Sequence, residues 1–254
     1  MFNSVLHGDC LELMKDIPDK SIDMILCDLP YGTTSCAWDR IIPFEPLWEQ
    51  YERIIKPKSC IALFSTQPFT SRLIVSNIEK FKYLWTWNKG KVGGFTNAKL
   101  KPLKLFEDIC IFSDGKTANC NENNMRYYPQ GLIKVDKISN SSTDKTKTGY
   151  ARPSTTGKYK QVFTNYPNQL LNFNLDKERV HPTQKPVAML EYLIKTYTTE
   201  GDLVLDNCAG SGSTGIACIN TNRNYILMEK EKEYFEIINK RIKESSNNLE
   251  SFFV

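Results

Sequence analysis

The sequence predicts an α/β chain built on a doubly wound, mostly parallel sheet, and three observations carry that reading. Short apolar runs rich in β-branched residues alternate with segments of helical spacing, the order of a parallel sheet covered on both faces. Two of those runs end in an acidic residue followed by turn chemistry, Cys27-Asp28-Leu29-Pro30-Tyr31-Gly32 and Asp206-Asn207-Cys208-Ala209-Gly210-Ser211-Gly212. A polar stretch from 115 to 180, rich in Asn, Ser, Thr, Lys and Tyr, interrupts the alternation. The 254 residues suffice for one such domain with an insertion.

Residues 4 to 7 read as a short strand, followed by Gly8-Asp9-Cys10 and a short helix carrying Leu11, Leu13, Met14 and Ile17. Ser21 to Cys27 is apolar enough to be a buried strand, which puts Asp28 at its carboxyl end, where ligands bind in open α/β sheets. Pro30 fixes its own φ and biases Leu29 toward extended geometry, so the side chains of Asp28 and Tyr31 are held in place. Phe44, Leu47, Trp48, Tyr51, Ile54 and Ile55 fall at helical spacing, and Pro57-Lys58 closes that helix. Cys60 to Phe64 is another buried strand, and Pro68 to Ile78 another helix. Strict alternation puts Phe81, Tyr83, Trp85 and Trp87 on one face of a half-buried strand that pairs with Asp108 to Phe112. From Lys80 to Lys104 there are seven lysines and no acidic residue, interleaved with aromatics and Gly93-Gly94-Phe95. That composition suits a phosphate-tracking surface as well as a solvated loop.

The stretch from 115 to 180 reads as an inserted lobe outside the sheet, and from Arg126 to Gln169 it carries eight Lys or Arg against two Asp. Beyond it, Leu190, Leu193, Ile194 and Tyr197 mark an amphipathic helix, and Asp202 to Asp206 a strand. A helix through Ile216 and Ile219, a strand from Asn224 to Met228 ending at Glu229, and a helix with Tyr234, Ile237, Ile238 and Ile242 on one face complete the chain. The segment after Lys243 reads as a frayed tail.

Composition narrows the function classes. With 41% hydrophobic and 24% charged residues, no apolar run approaches the ~20 residues of a membrane span. Met1-Phe2-Asn3-Ser4 lacks a signal peptide's basic and apolar regions, so a cytoplasmic location is expected. The eight cysteines, at 10, 27, 36, 60, 110, 120, 208 and 218, include no Cys-x-x-Cys pair, and two histidines cannot form a His-rich metal site. No metal is expected. The net charge of +4 is modest, and its clustering says more than its size.

Gly210, Gly212 and Gly215 fit G-x-G-x-x-G between a strand and a helix, and Glu229 ends the following strand. Glycines there permit a tight turn and close backbone approach, and the acidic side chain can grip two ribose hydroxyls. The adenosine of NAD and that of S-adenosylmethionine meet this loop equally well.

Asp28-Leu29-Pro30-Tyr31, the basic insert, His181-Pro182-Thr183-Gln184-Lys185-Pro186 and Asp206 to Gly212, taken in that order, resemble the beta class of amino-DNA methyltransferases. Those chains place a D-P-P-Y-type motif first, a target-recognition insert next and the cofactor loop last. The resemblance covers nearly the whole chain outside 115 to 180. It implies a Rossmann-like methyltransferase sheet in circularly permuted order, with residues 1–114 and 181–254 as the catalytic and cofactor-binding domain and 115–180 as a target-recognition lobe. It also implies S-adenosylmethionine as cofactor, double-stranded DNA as partner, and methyl transfer to the N6 amine of a flipped adenine. In that class the first motif position is commonly Asp in adenine enzymes and Ser in cytosine enzymes, and here it is Asp28.

By the same resemblance, the Asp28 carboxylate and the Leu29 carbonyl accept from the target amine, Pro30 stiffens the loop and Tyr31 stacks on the base. Leu29 departs from the usual proline and keeps the carbonyl but not the rigidity. Glu229 is assigned to the ribose, Asp9 and Cys10 to the adenine end, Gly210 and Gly212 to close backbone approach, and Thr183 and Lys185 to the methionine carboxylate. Asp28, Asp206, Ala209, Ser211 and Thr214 complete the cofactor set. Competing readings are methylation of cytosine N4 or of RNA, a nicotinamide-dependent oxidoreductase, and a DNA-binding module without chemistry. The resemblance leaves a homodimer and a cognate restriction enzyme open.

Overall fold

The computed structural model describes residues 2–34, 36, 39–118, 121–141, 157–176 and 184–250. In chain order its strands are β1 (Ser4–His7), β2 (Ile22–Asp28), β3 (Ile55–Ser65), β4 (Phe81–Gly93), β5 (Lys104–Phe112), β6 (Ile133–Ser141), β7 (Gly157–Thr164), β8 (Leu170–Asn172), β9 (Leu203–Asp206) and β10 (Asn224–Glu229). The helices are α1 (Cys10–Met14), α2 (Phe44–Ile54), α3 (Phe69–Ser76), α4 (Val187–Tyr197), α5 (Ser213–Asn220) and α6 (Lys232–Glu250). Eight strands make one sheet in the order β1-β10-β9-β2-β3-β5-β4-β8. All neighbours from β1 to β3 are parallel, β5 runs antiparallel to β3 and β4, and β8 lies parallel to β4.

The period-2 alternation of the central strands sorts their side chains onto two apolar layers. Met24, Leu26, Ala62, Phe64, Val204 and Leu227 pack under α4, α5 and α6, through Leu190, Leu193, Tyr197, Ala217 and Ile238. Ile25, Cys27, Ile61, Leu63, Leu205 and Met228 pack under α1, α2 and α3, through Met14, Trp48, Tyr51, Phe69 and Leu73. Covering both faces leaves the strand ends as the place where loops meet.

Four local expectations are corrected. Helix α2 ends at Ile54 rather than at Pro57, because Ile55 turns extended and pairs with Ile22 at the start of β3. Phe81 does not share a face with Tyr83, Trp85 and Trp87, because a register shift between Phe81 and Tyr83 moves it to the opposite layer; one residue of slip flips a side chain across a sheet. Leu170 to Asn172, inside the stretch read as lying outside the sheet, forms edge strand β8 beside Thr86 to Asn88. The final helix continues past Lys243 to Glu250.

Backbone contacts divide the chain into one unit of Met1–Tyr128 with Gln169–Val254, and a second of Pro129–Asn168. The second unit holds the antiparallel β6–β7 ribbon, with Ile133, Val135, Ile138, Val162 and Phe163 exposed beside Lys134, Lys137, Lys158 and Lys160. Arg126, counted by composition with the basic insert, belongs to the first unit. It bonds Asp23 at 2.9 Å and Asp202 at 3.2 Å.

Asp23 sits at a bulge in β2 and is 3% exposed, which obliges its charge to find partners. Its carboxylate also accepts from Lys56 Nζ at 2.7 Å and from the Leu203 N–H at 3.1 Å. Burial alone would raise its pKa, but Lys56, the Leu203 N–H and Arg126 together hold it below the ordinary value. Its stabilising contribution is therefore present above the unfolded pKa and lost as pH falls through the lower native one. Asp23→Asn should cost about 1–3 kcal/mol in urea unfolding, at the low end because Lys56 and Arg126 are partly exposed. The variant should also lose part of the acid-side slope of stability; a parent-like slope and midpoint would contradict this role.

Candidate functional site

The carboxyl ends of β1, β2, β9 and β10 open into one cleft of about 540 Å³. Asp28, Leu29, Pro30 and Tyr31 line it from the end of β2, and Asp9 and Cys10 from the turn after β1. Asp206, Ala209, Gly210, Ser211 and Thr214 line it around the β9–α5 turn, with Glu229 from β10 and Lys185 from the approach to α4. The topology thus gathers residues from both ends of the chain. Gly212 lies behind the lining, where an added Cβ would come within 2.9 Å of Ile238. Thr183 lies outside the described residues.

At the end of β2, Asp28 Oδ1 accepts from Tyr31 Oη at 2.5 Å and Oδ2 from Lys185 Nζ at 2.5 Å. Lys185 Nζ also stands 3.4 Å from Glu107 Oε2 and 5.1 Å from the Phe64 ring centroid. Lys89 pairs with the other Glu107 oxygen at 3.2 Å. Negative and positive groups therefore alternate along Asp28, Lys185, Glu107 and Lys89. Burial alone would lower the Lys185 pKa, but the carboxylates of Asp28 and Glu107 outweigh it and raise it, so the ammonium stays charged near neutral pH. For Glu107, burial pushes upward and is overcome by Lys185 and Lys89, which hold its carboxyl below the ordinary range. Burial, with Asp28 beside it, pushes the Tyr31 hydroxyl well up, so it remains a donor. The Tyr31 ring packs on Phe69 with centroids 5.1 Å apart. Leu29 is buried against the α1–α3 layer, an apolar contact that anchors the loop where proline would have stiffened it.

The loop after Tyr31 is fixed by a residue the sequence reading passed over. Asp39, 7% exposed, accepts the backbone N–H groups of Gly32, Thr33 and Thr34 at 2.8, 2.8 and 2.6 Å. Burial pushes the Asp39 pKa up, but the Thr34 side chain and the three convergent N–H groups hold it below its ordinary value.

The β9–α5 turn shows three separate uses of glycine. Gly210 has φ +53° with open space where a Cβ would stand, Gly212 has φ +76° as the cap of α5, and a Cβ on Gly215 would strike Leu227 and Ile242. The first leaves room for a ligand against the backbone; the other two serve the turn and helix packing. Glu229 accepts the N–H groups of Gly210 and Glu231, each at 2.8 Å, and burial raises its pKa in spite of them. Each of its oxygens keeps a further lone pair for a hydroxyl. Asp206 is spent inward, accepting from Thr214 Oγ1 at 2.6 Å and the Cys208 N–H at 3.2 Å. Asp9 caps α1 through the Leu11 N–H at 3.0 Å and meets Lys230 at 3.1 Å. A room-sized pocket, an open glycine backbone and a carboxylate with spare acceptors fit an adenosine-bearing cofactor.

Lys185 and Glu107 change the sequence picture most. Lys185, expected at a cofactor carboxylate, has its ammonium beside Asp28 and Glu107 in the structure. Glu107 and Lys89 were not singled out individually, because their meaning comes from the pairing of β4 with β5, where Trp87 faces Glu107. The one available signal was a glutamate next to Asp108, just before the apolar run Ile109 to Phe112.

The family model N6_N4_Mtase, described as DNA methylase, matches residues 22–240. The chain is 46% identical to the type II methyltransferase M2.DpnII of Streptococcus pneumoniae, over 94% of this chain and 88% of that protein. It is 25% identical to the DNA adenine methyltransferase YhdJ of Escherichia coli K12, over 96% of this chain and 84% of that one. The crystal structure of the M1.HpyAVI-SAM complex superposes with a TM-score of 0.60 at 24% identity, covering 94% of this chain and 98% of that one, a likeness of fold.

Burial pushes the Asp206 carboxyl up to about 6, with Thr214 and the Cys208 N–H opposing. Thr214→Val removes the hydroxyl donor, so the Asp206 midpoint followed by carbon NMR should rise further. A midpoint that stays or falls would mean that Thr214 does not stabilise the carboxylate.

Proposed function

The chain belongs to the DNA methylase family, and from that premise we propose that it transfers a methyl group from S-adenosylmethionine to the N6 amine of an adenine flipped out of double-stranded DNA. The observation that carries this reading is the meeting of Asp28 with Gly210 and Glu229 in one cleft. S-adenosylmethionine, when bound, supplies an electrophilic methyl group on a sulfonium. Gly210 offers it open backbone, Glu229 spare acceptors for the ribose, and Asp9 and Cys10 the far wall.

The work left to the protein is on the amine, whose lone pair is delocalised into the ring. A carboxylate offers about four acceptor positions, and Tyr31 and Lys185 take two of those on Asp28. The remaining positions, with the Leu29 carbonyl, accept the two N–H groups and aim the lone pair at the methyl. Lys185 then acts through Asp28 by fixing where its oxygens stand, and Tyr31 fixes the second oxygen while its ring forms a wall of the cleft. Bringing a base there requires flipping, at a cost of a few kcal/mol of unstacking.

Adenine is favoured over cytosine by Asp28, a charged and therefore stronger acceptor than a serine hydroxyl, and by the name of the E. coli relative, a DNA adenine methyltransferase. The exposed lysines of the 129–168 unit support phosphate contact and target recognition by that lobe. Such a substrate places the protein in the cytoplasm; among the described residues no helix is long and apolar enough to cross a membrane.

Incubating the protein with labelled S-adenosylmethionine and unmethylated genomic DNA, then digesting to nucleosides for mass spectrometry, should yield N6-methyldeoxyadenosine. N4-methylcytosine alone, or, in a parallel incubation with total RNA, methylated RNA while the DNA stays untouched, would contradict the assignment. In the same assay Asp28→Ala should lose on the order of 100-fold in turnover, with a much smaller loss of S-adenosylmethionine affinity by calorimetry. A variant with more than about a tenth of wild-type turnover, roughly 1.4 kcal/mol of barrier, would remove Asp28 from this role. A short linker in place of 129–168 should keep cofactor binding and lose site preference.

A further inference from the structure

The β4–β5 hairpin leaves the cleft and ends in a tip that the account above does not use. Lys89 and Glu107 line the cleft at its base, and Gly93 pairs with Lys104 near its end. Between them the chain exposes large apolar side chains: Leu100 at 84%, Phe95 at 66%, Phe106 at 46% and Val92 at 38%. Leu100 is held there by ordered backbone. Gly94 at φ +86° starts a short 3-10 turn over Phe95–Asn97, with Asn97 N–H to Gly94 O at 3.0 Å and Ala98 N–H to Phe95 O at 3.2 Å. The N–H groups of Leu100 and Lys101 both return to Asn97 O, at 2.9 and 3.1 Å.

The charged residues on the stretch that carries Phe95 and Leu100 are all lysines. Lys91, Lys99, Lys101 and Lys104 are exposed beside them, and no acidic residue occurs between Lys80 and Lys104. Apolar side chains on a hydrogen-bonded turn flanked in sequence by exposed lysines complement a polyanion that offers an apolar slot at its centre. A duplex from which one base has been withdrawn is such a partner: phosphates flank a gap between stacked bases. Phe95 lies six residues after Lys89, so an extended chain keeps the tip within about 20 Å of the cleft.

We propose that Phe95 and Leu100 form the wedge that enters the duplex and fills the space left by the flipped adenine, with Lys91, Lys99 and Lys101 on the flanking phosphates. This rests on the proposed methyl transfer to duplex DNA. The wedge would act by stabilising the extrahelical state of the base, so its removal should matter only where a base must leave a stack.

The test compares wild type with Phe95→Ala/Leu100→Ala on three oligonucleotides bearing a site found by sequencing DNA from an expressing host. They are the matched duplex, the same duplex with an abasic position opposite the target, and the single strand. The expected result is a loss of tenfold or more in single-turnover rate on the matched duplex, restoration by the abasic partner, and a rate within twofold of wild type on the single strand. Phe95→Leu/Leu100→Met should keep most of the matched-duplex rate, and 2-aminopurine at the target position should brighten less with the alanine variant than with wild type. Equal losses on duplex and single strand would make the tip a general stacking platform and overturn the wedge. So would an undiminished duplex rate, or a wild-type dimer in light scattering that the alanine variant dissolves. Absence of transfer by wild type to any of the three would sink the underlying reading as well, which separates the two failures.

Discussion

Lys185 and Asp28 are 157 residues apart in the chain and 2.5 Å apart at the edge of the cleft. Their side chains are 9% and 24% exposed, so neither charge could stand there alone without several kcal/mol of desolvation cost. Glu107 and Lys89 extend the pair into an alternating row, which satisfies the ammonium from two sides and spreads the cost over four groups. The row also spans the fold, since Asp28 ends β2, Glu107 lies on β5, Lys89 on β4 and Lys185 just before α4. Any displacement of these elements separates opposite charges in a place of low dielectric.

The topology is what makes that row available for chemistry. Because the central strands are parallel and covered by helices on both faces, their carboxyl ends are where open backbone meets convergent loops. Among Asp28, Asp39, Asp206 and Glu229, two are turned to structural tasks: Asp206 at the end of β9 holds Thr214, and Asp39, in the loop after β2, accepts three N–H groups of that loop. The other two, Asp28 and Glu229, keep lone pairs for a ligand after their protein partners are counted. Preorganisation here means that the loops bearing the working groups are pinned by groups that do no chemistry.

Local features of this site were legible in the sequence. The β2 run followed by Asp28, and the β9 run followed by the three glycines, each predict a strand end and a fixed turn from a dozen contiguous residues. What the sequence did not disclose depends on pairing at a distance. Glu107 looks like any strand glutamate until β4 brings Lys89 beside it, and Asp39 has no meaning until the N–H groups of Gly32 to Thr34 converge on it. Phe81 followed the alternation yet crossed to the other layer, because a bulge in strand register is set by the partner strand. Strand β8 is three residues within polar sequence, too short to show a period. The contacts of Lys185 with Asp28 and Glu107 were not legible either, because motif order carries no distances.

We propose that Lys185 serves the reaction through Asp28. A double-mutant cycle tests it: single-turnover methyl transfer by wild type, Asp28→Asn, Lys185→Met and the double variant on one duplex oligonucleotide. If Lys185 acts by placing the Asp28 oxygens, the double variant is no more than about twofold slower than Asp28→Asn alone, the strong coupling expected of contacting residues. Losses that multiply would show Lys185 working independently of Asp28 and would contradict the account.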